Sequence, residues 1–177
     1  RALMEHARAV SGSGRISDAR EMYLQTLEEV GPEASRDRLD VLMPFTSNLL
    51  IDGVEGVEEY ADEALRLAHT LAADDATYAR LLSNLGVLHD TVGDRRLAAM
   101  YLHEGARLAE LSGESATLIT TLANLTNTLN VDRPAEAIEP NERAQAVAAR
   151  IGDRTVGGLL LANLAYSYLA VGDWDAA

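Results

Sequence analysis

Leu81, Leu82, Leu85, Leu88 and Val92 recur at steps that place them on one face of a helix. Gly93 follows and predicts a stop, because glycine tolerates the left-handed backbone that ends a helix. Asp94 then suits the N-cap of a second helix. That helix carries Leu97, Ala98, Tyr101, Leu102, Gly105, Leu108 and Ala109 and ends before Ser112-Gly113. The pattern predicts helix, tight turn, helix. Gly14, Asp52-Gly53 and Gly172-Asp173 punctuate the chain in the same way. Asp132-Arg133-Pro134 does so once more, with Pro134 suited to a first helical turn.

The unit repeats. Asn84-Leu85, Asn124-Leu125 and Asn163-Leu164, each followed by a small residue, are separated by 40 and 39 positions. Small or apolar residues open the partner helix at Ala19, Val57, Ala98, Ala137 and Ala177, at steps of 38, 41, 39 and 40. Two independent anchors keeping one step indicate a repeat array. The units run approximately over residues 1–32, 33–73, 74–113, 114–152 and 153–177, the last incomplete. Small residues at Gly86 and Ala165 on the first helix, and at Ala98 and Ala137 on the second, predict close approach of two backbones. Neither helix can bury its stripe alone, so adjacent hairpins must stack.

Composition narrows the class. Of 177 residues 47% are hydrophobic, with mean hydropathy near zero, as in a soluble globular protein. No apolar run reaches the length that spans a bilayer, and the opening residues lack the form of a signal peptide. There is no cysteine, which excludes disulfide and thiol chemistry and fits a cytoplasmic protein. The net charge of −13 repels a phosphate backbone, so no direct nucleic-acid binding is expected of this segment. The cations are all Arg, and only Arg95-Arg96 is adjacent.

Leu85-Gly86, His89, Gly93-Asp94 and Ala98 resemble the tetratricopeptide repeat (TPR) signature, with Gly105 in place of its second Ala. Leu164-Ala165, Tyr168, Gly172-Asp173, Trp174 and Ala177 match likewise. The fourth unit keeps Leu125, Leu129, Ala137 and Ala144. Ala19 and Tyr23 carry the first. The second, from Phe45 to Ala64-Leu65, matches least and is expected to have a shortened first helix. The resemblance covers essentially the whole chain and implies an all-α fold, a right-handed α-α superhelix (solenoid) of about four and a half TPR-like hairpins. The family period is about 34, against nearly 40 here, so the helices are expected to be longer. Long-helix arrays of this kind resemble those of large bacterial signal-transduction ATPases and transcriptional regulators. The chain lacks an initial Met and stops at Trp174-Asp175-Ala176-Ala177, one turn into an expected helix. A fragment of a longer protein is the expectation. Its uncapped C-terminal end would expose Leu164, Tyr168, Leu169 and Trp174, a surface for a homo-oligomer.

Catalytic patterns are absent from the sequence. Without Lys there is no P-loop, and Ser11-Gly12-Ser13-Gly14 reads as a hairpin turn. The histidines, His6, His69, His89 and His103, carry no metal-ligand spacing. His89 takes the aromatic place of the repeat and is expected to be half-buried, and His103 exposed. Glu55, Glu58, Glu59, Asp62 and Glu63 read as a solvated helix face. No cofactor, no metal and no catalytic residue is assigned.

In a stack of such hairpins the first helices line the concave groove. Residues one turn apart there are Arg80, Asn84 and Val87, then Thr120, Asn124 and Asn127, then Leu159, Asn163 and Tyr166. Asn84, Asn124 and Asn163 form a ladder. An amide both donates to and accepts from a peptide backbone, so the ladder would hold an extended chain; alternatively it bonds neighbouring helices and serves the fold. The family's carboxylate clamp needs Lys or Arg where this chain has Ser83, Val87, Leu159 and Asn163, so the clamp is absent. The expected function is a protein- or peptide-binding scaffold, the sensory or interaction part of a bacterial regulator. The alternative is a small-molecule sensor with its ligand in the groove.

Overall fold

The computed structural model describes residues 2–53 and 56–176. Among the described residues there are nine helices and no strand: α1 (Ala2–Gly12), α2 (Ile16–Val30), α3 (Arg36–Asp52), α4 (Val57–Thr70), α5 (Asp75–Thr91), α6 (Arg95–Leu111), α7 (Ser115–Asn130), α8 (Pro134–Ile151) and α9 (Arg154–Val171). The chain divides into two compact units, one up to Thr77 and one from Tyr78 onward.

In the first unit α1 packs on α2, α2 on α3, and α3 on α4. Its core is built on Phe45 of α3, which is 1% exposed. The ring sits 5.8 Å from that of Tyr23 and meets Tyr60 edge-on at 4.9 Å, so one aromatic residue joins three helices. Asn48, also on α3, donates to Ser11 Oγ at 3.2 Å and to the Ile16 carbonyl at 3.3 Å, tying the helix to the first turn. Ser11 and Gly12, expected in the turn, are instead the last residues of α1; Ser13 and Gly14 form the turn, with Gly14 at φ 84°.

A second tie was not legible in the sequence. The Arg38 guanidinium donates to the Gly31 carbonyl at 2.7 Å and to Glu63 Oε2 at 3.1 Å. The α2–α3 turn and α4 are thereby clamped to α3. Glu63 is therefore half-buried in an ion pair and is no part of a solvated face, unlike Glu58, Glu59 and Asp62, which are exposed. Glu55 lies outside the described residues.

The first helix of the second hairpin is not shortened. α3 has 17 residues, as many as α5 or α6. Ser35 caps it by accepting from the Arg38 N–H. Pro44 removes one interior hydrogen bond, but Leu42, Met43 and Phe45 around it are buried and their packing holds the helix together.

In the second unit α6 packs on α7, α7 on α8, and α8 on α9, while α7 and α9 also touch directly. One cluster joins Ala106, Leu108 and Ala109 of α6 with Leu118, Ile119 and Leu122 of α7, Ala144 and Ala148 of α8, and Leu160 of α9. A second joins Ala99 and Leu102 with Leu125, Leu129 and Ala137. The anchors Ala98 and Ala137 are fully buried. Ala177 lies outside the described residues.

The predicted punctuation is present. Gly93 has φ 87°, and Asp94 Oδ1 accepts from the Leu97 N–H at 3.1 Å. Asp153 caps α9 in the same manner by accepting from Val156. Pro134 is the first residue of α8. Val92 departs from expectation: α5 ends at Thr91, so Val92 leaves the apolar face and is 63% exposed. Helices of 16 to 18 residues in this unit account for the long period.

Candidate partner-binding face

The nine expected site residues all lie on α5, α7 and α9, in the second unit. On α5, Arg80 is exposed while Asn84 and Val87 are half-buried; Arg80 and Asn84 both have interactions within the protein. On α7, Thr120 and Asn127 are exposed and Asn124 is half-buried. On α9, Leu159 and Tyr166 are exposed and Asn163 is half-buried. Within each helix the spacing of four and three residues sets the three side chains on one face.

Two of these rows meet. Asn163 Nδ2 donates to Asn127 Oδ1 at 3.2 Å. One turn further along, Ser167 Oγ donates to Asn130 Oδ1 at 2.8 Å, and Ser167 is fully buried. A polar seam thus locks α7 to α9. Asn130 and Ser167 carry it as much as the ladder does, and neither was singled out in the sequence. Asn130 closes a helix rich in Thr and Asn, so nothing local marked it, whereas Ser167 is a small polar residue on a mostly apolar helix.

The Asn residues have different roles. Asn163 is committed to the seam. The side chain of Asn124 has no hydrogen-bonding partner among the described residues, and its amide remains available at the surface. Asn84 has partners of its own.

The electrostatics of this face are unlike those of the chain as a whole. α7 contains no charged residue, and α9 contains only Arg154 at its first position. In a chain of net charge −13, these two touching helices offer hydroxyl, amide and apolar groups and a single charged side chain, Arg154. Such a surface suits neutral main-chain amides better than charged termini.

At the flank, Tyr168 donates its hydroxyl to Glu142 Oε1 of α8 at 3.0 Å. That hydrogen bond, with lesser contributions from burial and from the Glu142 and Asp173 charges, raises the phenol pKa above its ordinary value. His89 is half-buried and stacks on Tyr101, with ring centroids 5.3 Å apart and planes at 16°. His103 is exposed. Among the described residues no three His, Asp or Glu side chains converge as a metal site requires, and no helix is long and apolar enough to cross a membrane.

No family model matches the chain, and no curated protein matches it either. Solved structures do. The nearly identical TPR-like repeats of a Podosopora anserina kinesin light chain superpose with a TM-score of 0.74 at 16% identity, over 99% of this chain and 88% of that one. A single-substitution variant of that protein gives 0.75 at 16% identity, over 99% and 87%. BtubC (BKLC) from P. vanneervenii gives 0.74 at 20% identity, over 97% and 72%. At such identities the likeness speaks for the fold and leaves function to the site. The chain has the all-helical fold of a TPR-like repeat solenoid.

Proposed function

We propose that this chain is a protein- or peptide-binding repeat scaffold whose α7–α9 face holds an uncharged, extended stretch of its partner. The observation that carries the reading is the neutral double row of Thr120, Asn124, Asn127, Leu159, Asn163 and Tyr166, with the Asn124 amide uncommitted. Asn124 would donate to and accept from one peptide unit of the partner. Leu159 and Tyr166, 67% and 59% exposed, would cover its apolar side chains. Arg80, Asn84 and Val87 belong to the same row by repeat position and would extend the contact. The chain holds its partner and performs no chemistry on it.

A cytoplasmic role as the sensory or interaction part of a bacterial transcriptional or signalling regulator is part of this proposal. Its support is the repeat period near 40, which resembles the arrays of such regulators, together with the absence of cysteine. The acidic surface favours a protein partner over nucleic acid.

The test is selection from a displayed library of uncharged peptides, followed by calorimetric titration of the best binder against the chain and its Asn124→Ala variant. A roughly five- to tenfold loss of affinity is expected, the worth of one or two neutral hydrogen bonds. Equal affinity for both proteins would overturn the assignment.

A further inference from the structure

Glu21, Leu24 and Glu28 stand on one face of α2, at steps of three and four residues. That face borders a groove between α2 and α4, which both pack on α3 and, among the described residues, not on each other. The groove holds about 660 Å³. Leu27, the 43% exposed Leu24 and the half-buried Tyr60 form its apolar lining, and Arg38 borders it near Gly31, where α2 has ended. The Arg38 charge is already matched by Glu63. The exposed carboxylates of Glu21 and Glu28 have no cation within ion-pair distance among the described residues.

In the second unit α6 and α8 hold the equivalent places, and there the charge is matched from within. Arg143 of α8 reaches Glu110 of α6 at 3.0 Å, so a guanidinium crosses from one helix to the other. By the anchors Val57 and Ala137, the place of Arg143 belongs on α4 to Glu63, and α4 offers no cation there. By the anchors Ala19 and Ala98, the places of Glu21 and Glu28 belong on α6 to Met100 and Arg107, and Arg107 pairs with Glu104. The unmatched acid–apolar–acid row of α2 has no counterpart on α6.

We propose that the α2–α4 groove docks a basic amphipathic helix of a partner protein. Charge complementarity selects the partner: two carboxylates flank an apolar patch, so the ligand needs two cations flanking an apolar side chain. Spacing selects its form. Glu21 and Glu28 are two helical turns apart, about 10 Å along α2. In a helix lying along the groove, residues seven apart span that distance on one face, with an apolar residue between them to meet Leu24 and Tyr60. In an extended chain the same distance falls at three residues, where the two side chains point to opposite sides. Arginine suits the cationic places, because its guanidinium grips a carboxylate through two N–H groups while its stem lies on apolar surface. This site lies wholly in the first unit and recognises charge, where the α7–α9 row would recognise neutral main chain.

The probe is a fluorescein-labelled peptide of about 15 residues, an Ala-Gln helix host carrying Arg, Leu and Arg at steps of three and four. It is titrated into the 177-residue chain at low salt and followed by anisotropy. Saturable binding is expected, weakened roughly fivefold or more when Glu21→Gln and Glu28→Gln are combined. Both positions are exposed, so the double variant should keep its helical circular dichroism. A peptide of the same composition with its two Arg five positions apart, on different faces of the helix, should bind roughly fivefold or more weakly to the parent chain. No binding would overturn the proposal. So would binding indifferent to the double variant or to the Arg spacing, which marks general attraction to an acidic surface. Equal binding of a peptide whose helix is broken by a central Pro would also overturn it, because the groove would then take an extended chain.

Discussion

A Cβ placed on Gly86 would overlap Leu102 Cγ, lie 2.7 Å from Leu102 Cδ2 and stand 3.2 Å from the Ala98 carbonyl oxygen. α5 and α6 therefore approach each other at a point where no methyl group fits. Leu102 is fully buried and cannot swing aside. Gly86→Ala gains about 1 kcal/mol of helix propensity but forces overpacking that costs about 1–3 kcal/mol. A net destabilisation is expected in urea denaturation. Gly105→Ala provides the contrast: its nearest neighbours would lie at 3.2 to 3.4 Å, so its cost should be smaller. If Gly86→Ala were as stable as the parent, the close approach would be refuted.

Arg38 should be the most costly single charge to remove from the first unit. It is 13% exposed and faces Glu63 at 24%, with a backbone carbonyl on its other side. Arg38→Ala would leave a half-buried carboxylate and an unsatisfied carbonyl, for a loss of about 2–4 kcal/mol. Arg38→Lys would keep the charge but lose the fork, and should recover only part of that loss. Arg107→Ala breaks an exposed pair with Glu104 and should change stability by less than about 1 kcal/mol. Chemical denaturation of the three variants checks the order.

The Tyr168–Glu142 contact predicts a pH dependence. Its folded-state pKa is raised above the ordinary phenol value, chiefly by the hydrogen bond to Glu142. The contact is then fully present below the unfolded-state pKa and is lost as pH rises through the raised folded value. Glu142→Gln removes the charged acceptor, so the Tyr168 titration should move downward. Ultraviolet difference titration of the parent and variant, with Tyr168→Phe to assign the transition, reads the shift. An unchanged titration would contradict the geometry.

The two Asn residues of the α7–α9 region should separate in their effects. Asn163→Ala breaks the hydrogen bond to Asn127 and should lower stability by about 0.5–1.5 kcal/mol. Asn124→Ala breaks no hydrogen bond among the described residues and should leave stability within about 0.5 kcal/mol of the parent. Thermal unfolding of both variants decides between a ladder that serves the fold throughout and one that serves it only at Asn163.

The hairpin from α5 to α6 was legible because each of its signals is local. Gly93 and Asp94 mark the turn, and Leu81, Leu85 and Leu88 mark the buried face within a few residues. The α3 helix was harder to read, because Pro44 argues locally against a long helix while the burial of Leu42 and Phe45 is a tertiary effect. Val92 was misplaced because it keeps the helical period one residue beyond the end of α5. The Arg38–Glu63 clamp joins residues on different helices, and no local pattern marks a charge that will be buried. The candidate face was legible as three rows of positions. Which amides were spoken for depended on contacts across the seam, such as Asn127 with Asn163 and Asn130 with Ser167.

The central claim is that a partner lies along the neutral face of α7 and α9. Side-chain amide resonances of the Asn residues, recorded by nuclear magnetic resonance while a selected peptide is added, test it most directly. The account predicts that the Asn124 side-chain amide and the Tyr166 ring shift with the peptide, while Asn141, fully buried on α8, stays in place. Shifts confined to α6 and α8, with Asn124 and Tyr166 unmoved at saturation, would contradict it.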